Sequence, residues 1–253
     1  MKSKLIIVTL LFLLGPLMCL ADGAQQLFEK GNALYAKKQY PGAIATYQDL
    51  IKQGYHSAAL YYNLGNAYYR DNDIAPALLY YHKAQKLEPS DEAININILF
   101  ANLKTADKVE TEPEFFISRW WHSFILWIPA NTLAILSVVF ILLASAALIV
   151  YLFTGSVGIK KTVFFSAIIL IVLGVTSTFV ANRQNYYFDT HHQAIIFGAT
   201  VNVKSKPADQ AKPAFVIHEG TLVSVEDHQN GWMRIKLLNG NEGWIIASDA
   251  REI

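Results

Sequence analysis

Cysteine is almost missing from this chain: Cys19 is the only one in 253 residues, and it lies in a leader-like N-terminal stretch. The expected mature chain, starting at Asp22, then has no disulfide, no cysteine metal site and no thiol nucleophile. A surplus of one charge is missing as well. Lys and Arg number 21 against 20 Asp and Glu, a formal net charge of +1 with no basic stripe, so nucleic acid is not an expected partner. No His-Glu-x-x-His helix, phosphate-cradling glycine loop or Gly-x-Ser-x-Gly elbow occurs, and the chain reads as a non-enzyme without cofactor. His218, Asp227 and His228, and the pair His191-His192, lack metal-ligand spacing and read as surface histidines, so no metal site is expected. The most telling absence is of ionisable side chains. Asp, Glu, Lys, Arg and His are all missing from Ala130 to Phe153 and from Thr162 to Ala181.

As helices rising about 1.5 Å per residue, both stretches are long enough to cross a hydrocarbon core of about 30 Å. The expectation is a transmembrane hairpin, 130–153 and 162–181, joined by a cytoplasmic loop at 154–161. Lys2 and Lys4 before the apolar run Leu5 to Leu14, with Cys19-Leu20-Ala21 at a cleavage-like site, read as a signal peptide over residues 1–21. Translocation from Asp22 onward fits Lys160 and Lys161 in the short loop, the pattern of positive charge held inside. Trp120, Trp121 and Trp127 before the first span, and Tyr186 and Tyr187 after the second, suit the headgroup level. Ser137, Ala144, Ala167 and Gly174 are small residues through which the spans can pack closely.

Residues 22–106 repeat. Aligning Ala24 to Ser57 with Ala58 to Asp91 at a spacing of 34 superposes Gly31, Asn32, Ala33, Tyr35, Ala43 and Tyr47 on Gly65, Asn66, Ala67, Tyr69, Ala77 and Tyr81. With Leu64, Tyr68, Ala84 and Pro89 in the second copy, the pattern resembles tetratricopeptide repeats. A capping helix is expected over 91–105, started by Ser90-Asp91-Glu92, to cover the open edge of the second repeat. Residues 107–114 read as a polar linker, the first part of a linker and interfacial segment at 107–129. The repeat resemblance implies a concave peptide groove on the first helix of each repeat. Its candidate residues are Phe28, Asn32 and Tyr35, then Tyr62, Asn66, Tyr69 and Arg70. The asparagines would hold an extended ligand, with Tyr62 and Asn66 projecting away from the Leu64, Tyr68 and Tyr81 packing face. The competing reading makes the tyrosines packing residues and the asparagines solvated.

Residues 194–253 change to short alternating runs. Val201 to Val203, Phe215 to Ile217, Leu222 to Val225 and Met233 to Leu237 are strand candidates, and Asn239-Gly240 marks a tight hairpin. Five short strands imply a small barrel. Val201 to Pro207, Glu219-Gly220-Thr221, Gly231-Trp232 and Gly243-Trp244-Ile245 resemble the bacterial SH3-like domain. That resemblance implies binding of cell-wall peptides or proline-rich segments, or docking onto another domain. Trp232 and Trp244 are the candidate contact residues, with a place in the core as the competing reading.

The fold class expected is thus a multidomain membrane protein: an all-α repeat domain, a transmembrane hairpin and a small all-β barrel. The order signal peptide, tetratricopeptide repeats, two spans and SH3-like domain resembles the BatE-type proteins of bacterial aerotolerance operons. The resemblance implies a periplasm-facing scaffold in the inner membrane. Its implied partners are membrane proteins bearing von Willebrand factor A domains, a MoxR-type ATPase and other products of such operons. The alternative is an envelope anchor that holds peptidoglycan through the SH3-like domain. If the hairpin reading holds, topology reporters fused after Lys104 and after Ile253 give the same external signal, and a cytoplasmic signal from either contradicts it.

Overall fold

The computed structural model describes residues 23–108 and 115–253. The signal peptide expected at 1–21 lies outside them, as does part of the linker. Helices α1 (23–36) and α2 (Tyr40–Lys52) form one pair, α3 (Ala58–Arg70) and α4 (Ile74–Leu87) a second, and α5 (Glu92–Asn102) packs on α4. Local chemistry sets these limits. Ser57 caps α3 by accepting the Leu60 N–H at 3.1 Å, and Asp91 caps α5 by accepting the Ile94 N–H at 3.0 Å. The turns inside both pairs use a left-handed residue at the same repeat position, Lys38 and Asn72. Close helix crossing depends on glycine. A Cβ at Gly31 would lie 2.4 Å from the Tyr47 ring, and one at Gly65 would lie 2.6 Å from the Tyr81 ring. Tyr47 and Tyr81 are in turn almost fully buried between the helices.

The C-terminal domain is one antiparallel sheet of seven strands in the order β3-β2-β6-β5-β4-β1-β7. Its strands are β1 (Gln193–Ile196), β2 (Thr200–Lys204), β3 (Pro213–His218), β4 (Leu222–Gln229), β5 (Trp232–Lys236), β6 (Glu242–Ile246) and β7 (Ala250–Glu252). Alternation puts Val201, Val203, Ile217, Val223, Met233, Ile235 and Ile245 inside. The β5–β6 turn carries Gly240 at φ +83°, as the Asn239-Gly240 pair requires. Two strands more than the five read from sequence are present. β1 is Gln-Ala-Ile-Ile, with no alternation, because Ala194 and Ile196 fill the barrel while Ile195 fills the core of the helical domain. β7 is three residues long, and its pairing with β1 spans the whole domain.

Between the two soluble domains run α6 (Phe116–Ile125), α7 (Ala130–Phe153) and α8 (Val157–Thr190). Helices α7 and α8 are both long and apolar enough to cross a membrane. They meet along a seam of small residues. Ala144 and Ala167 are buried, Gly174 leaves room for Ile141 and the Ser137 carbonyl, and the Ser137 and Thr178 hydroxyls bond at 2.7 Å. Away from the seam, leucines, isoleucines and phenylalanines are exposed along both helices. Helix α8 continues beyond Ala181 to Thr190, and there α6 packs on it. Gln184, buried at 1 % exposure, donates through Nε2 to the carbonyls of Ile125 at 2.8 Å and Ile128 at 3.3 Å, groups left open where α6 ends.

Gly65→Leu tests the repeat core. It forces a side chain into the Tyr81 ring, and overfilling of this kind costs about 1–3 kcal/mol. The expected outcome is a lower urea midpoint for the helical domain of the full chain, and an unchanged midpoint contradicts the packing described.

Candidate functional site

The asparagines singled out from the repeat belong to a hydrogen-bonded ladder with the 34-residue period. Asn32 Oδ1 accepts from the Tyr47 hydroxyl at 2.7 Å and from Asn63 Nδ2 at 2.9 Å. One repeat later, Asn66 Oδ1 accepts from the Tyr81 hydroxyl at 2.8 Å and from Asn97 Nδ2 at 2.8 Å. Helix α5 therefore continues the repeat register, because Asn97 stands where Asn63 stands one repeat before. Burial pushes the Tyr81 hydroxyl well above its ordinary range and the Tyr47 hydroxyl up to about 12, so both remain donors. The expectation that Tyr62 and Asn66 project away from Tyr81 is corrected. Asn66 is bonded to Tyr81, and the Tyr62 ring lies 6.1 Å from the Tyr81 ring. A buried tyrosine hydroxyl needs an acceptor, and the neighbouring asparagine supplies it.

The ladder forms the floor of a cavity of about 470 Å³ lined by Tyr35, Tyr62, Asn66, Tyr69, Arg70, Tyr81, Asn97 and Phe100. Five of the seven groove candidates meet there. Phe28 and Asn32 do not line it: Phe28 packs 6.0 Å from the Tyr47 ring, as Tyr62 does on Tyr81, and Asn32 serves the first rung of the ladder. Among the described residues no acidic side chain lines the cavity. Arg70 at its rim lies beside Tyr35, and Lys104 Nζ sits 4.1 Å from the centre of the Tyr69 ring. The surface is therefore aromatic with a cationic edge, and the Nδ2 side of Asn66 is the part of that amide left for a ligand.

On the barrel, Trp232 and Trp244 alternate out of phase with the buried Met233, Ile235 and Ile245, so they lie half-buried on the outer face of the sheet. Arg234 pairs with Trp244 across the strands and forms an ion pair with Glu242 at 2.7 Å beside it.

Sequence reasoning missed the joint between the domains. Ile195, with Phe197, Leu222 and Ile253, packs into the core formed by Ala75, Leu78, Leu79, Ile94 and Ile98. Asp107, read as linker, closes the joint. Its carboxylate accepts from the His218 backbone N–H at 2.6 Å, from His218 Nδ1 at 2.8 Å and from the Thr221 hydroxyl at 2.7 Å. His218 is thus a partner of Asp107 rather than an isolated surface histidine. Gly220 between these contacts has φ +84°, and a Cβ there would lie 2.7 Å from Thr105, so the Glu219-Gly220-Thr221 turn fits the helical domain only with glycine. Nothing local in the sequence relates residues 111 positions apart. Burial pushes the Asp107 carboxyl up, yet the hydrogen bonds from His218 and Thr221 outweigh it and hold the group below its ordinary value. Nearby, His82 is buried at the junction of α4, α8 and the last residue, Ile253. Burial pulls it down to about 4. Among the described residues no group of three or more His, Cys, Asp or Glu is placed to hold a metal.

Three family matches agree with this architecture. Residues 31–72 match the family described as TPR repeat, residues 58–91 the family tetratricopeptide repeat, and residues 199–250 the family bacterial SH3 domain. The chain thus carries tetratricopeptide repeats, two long apolar helices and a bacterial SH3 domain. No curated protein matches it. Among solved structures it is similar to the C-terminal SH3 domain of myosin IB from Entamoeba histolytica, at 22 % identity over 25 % of this chain and 95 % of that one, with a TM-score of 0.19.

Acid should loosen this joint in two stages. A histidine kept neutral by burial lowers stability as pH falls from 6.5, its unperturbed value, toward about 4. A carboxylate held low contributes stability above 3.8 and loses it as pH falls through its lower folded value. Asp107→Ala leaves the His218 and Thr221 donors without their acceptor, at about 1–3 kcal/mol. It is expected to lower the melting temperature at pH 7 and to flatten the loss below pH 3.8. A variant that melts like the wild type at neutral pH contradicts the clasp.

Proposed function

We propose that this chain is a non-catalytic adaptor in the bacterial cytoplasmic membrane, with both soluble domains on the periplasmic face, that captures an extended peptide segment of a partner protein. The observation that carries the reading is the cavity lined by Tyr35, Tyr62, Tyr69 and Arg70 on the first helices of the repeats and by Phe100 on α5. Tyrosine rings bury large area at small entropic cost, and Arg70 and Lys104 favour a segment with a carboxylate near its anchor. The apolar side chains exposed around α7 and α8 support insertion, since such a surface is solvated by lipid rather than water. The clasp supports the hairpin reading, because Asp107 and His218 flank the two long helices and meet only on one side of a bilayer. Lys160 and Lys161 support the orientation, although they stand near the start of α8 rather than in the loop expected at 154–161, which is reduced to residues 154–156. The whole-chain resemblance to aerotolerance-operon proteins supports membrane proteins with von Willebrand factor A domains as the partner class.

A second reading rests on the barrel. Trp232 and Trp244 share one outer face, and an aromatic surface of that kind suits the sugar and peptide faces of peptidoglycan.

The test replaces groove residues outside the ladder. Tyr69→Ala with Arg70→Ala is expected to weaken crosslinked partner capture from intact membranes by about thirtyfold, the equivalent of about 2 kcal/mol for a buried anchor, with little change in melting temperature. Undiminished capture by this variant, together with loss of peptidoglycan sedimentation in Trp232→Ala/Trp244→Ala, replaces the adaptor reading with the anchor.

A further inference from the structure

We propose that the cleft between α6 and α8 binds the phosphodiester headgroup of an anionic phospholipid, with Arg183 as its charge partner. The proposal rests on the membrane insertion argued above and adds a ligand to it.

The cleft has a volume of about 410 Å³ and is lined by Trp121, Phe179, Arg183, Tyr186 and Thr190 among others, with no acidic side chain among the described residues of its wall. Arg183 is exposed and has no ion-pair partner among the described residues. Its guanidinium stands 5.3 Å from the Phe179 ring. Helical spacing grades the site by depth. Phe179 lies within the apolar stretch that ends at Ala181, and Arg183 is one turn further on the same face. Tyr186 and Thr190 follow at successive turns. Arg183 is thus about 3 Å beyond the end of that stretch, where lipid phosphates begin. An acyl chain can follow Phe179 into the core while the phosphate meets the guanidinium fork. The opposite wall is held in place, since Gln184, next to Arg183, bonds the carbonyls of Ile125 and Ile128 at the end of α6. An anionic headgroup suits the cleft better than a zwitterionic one, because no carboxylate among the described residues of the wall is available to an ammonium group.

The test uses the full chain in nanodiscs of phosphatidylcholine containing a minor fraction of phosphatidylglycerol, with the retained lipid read by native mass spectrometry. The wild type is expected to keep phosphatidylglycerol in preference to phosphatidylcholine. Arg183→Gln should reduce that preference about tenfold, as loss of a charge-assisted hydrogen bond does, and Arg183→Lys should reduce it less. Lys160→Gln/Lys161→Gln, at the other end of the hairpin, should leave it unchanged. Full retention by Arg183→Gln overturns the proposal, and so does an equal loss in the lysine variant, which would mean general surface attraction. Inorganic phosphate, added to the chain in detergent, separates a free anion from a lipid. If it raises the melting temperature as much as phosphatidylglycerol does, the lipid assignment fails. Alkaline washing of membranes reads the underlying assumption separately. A wild-type chain released by the wash overturns membrane insertion, whereas a retained chain without lipid preference overturns the site alone.

Discussion

The contact between Asp107 and the His218–Thr221 turn fixes the arrangement of everything else. It joins residues on the two sides of an excursion that contains α6, α7 and α8, and closing so long a loop carries an entropic cost that grows only slowly with length. Burial of Ile195 in the helical core offsets that cost. The domains are consequently one body seated at the end of α8, whose last turn leads within three residues into β1. Strand β1 then has two duties, since successive residues face the barrel and the repeats. A polar substitution at Ile195 would damage the joint without touching the barrel's own core.

The asparagine–tyrosine ladder is the second constraint, and it serves rigidity before recognition. Each rung connects the first helix of one repeat, the second helix of the same repeat and the first helix of the next. Hydrogen bonds so placed fix the pitch of the stack, and the groove above them takes its shape from that pitch. Capping helix α5 is held in the same way, while Ile96, Leu99, Phe100 and Leu103 remain exposed on its outer side. Leu99 occupies the place of Gly31 and Gly65, so a further repeat helix could not cross α5 as closely as α2 crosses α1. The stack ends there for a steric reason.

The elements legible beforehand were those whose signal is local or periodic. The repeat spacing, the small glycines under tyrosine rings, the apolar stretches and the Asn239-Gly240 hairpin each depend on neighbours a few residues away or on a fixed period. Asparagine in a helix, by contrast, has the same appearance whether it faces water, a ligand or a buried hydroxyl. Only the position of Tyr47 and Tyr81 decides among these, and it puts the Oδ1 atoms of Asn32 and Asn66 into the ladder. Strand β1 escaped notice because a segment buried on both faces by different domains has no period of two.

The sequence by itself determined the kinds of parts and their order, because hydrophobic period and turn chemistry act over one or two helical turns. Tertiary structure alone decided that the parts form a single body, that Asp107 belongs to a clasp and that Arg183 faces a cleft rather than an acid. Those outcomes depend on which distant groups satisfy each other's charge and hydrogen-bonding capacity, a matter of three-dimensional proximity that no local pattern encodes.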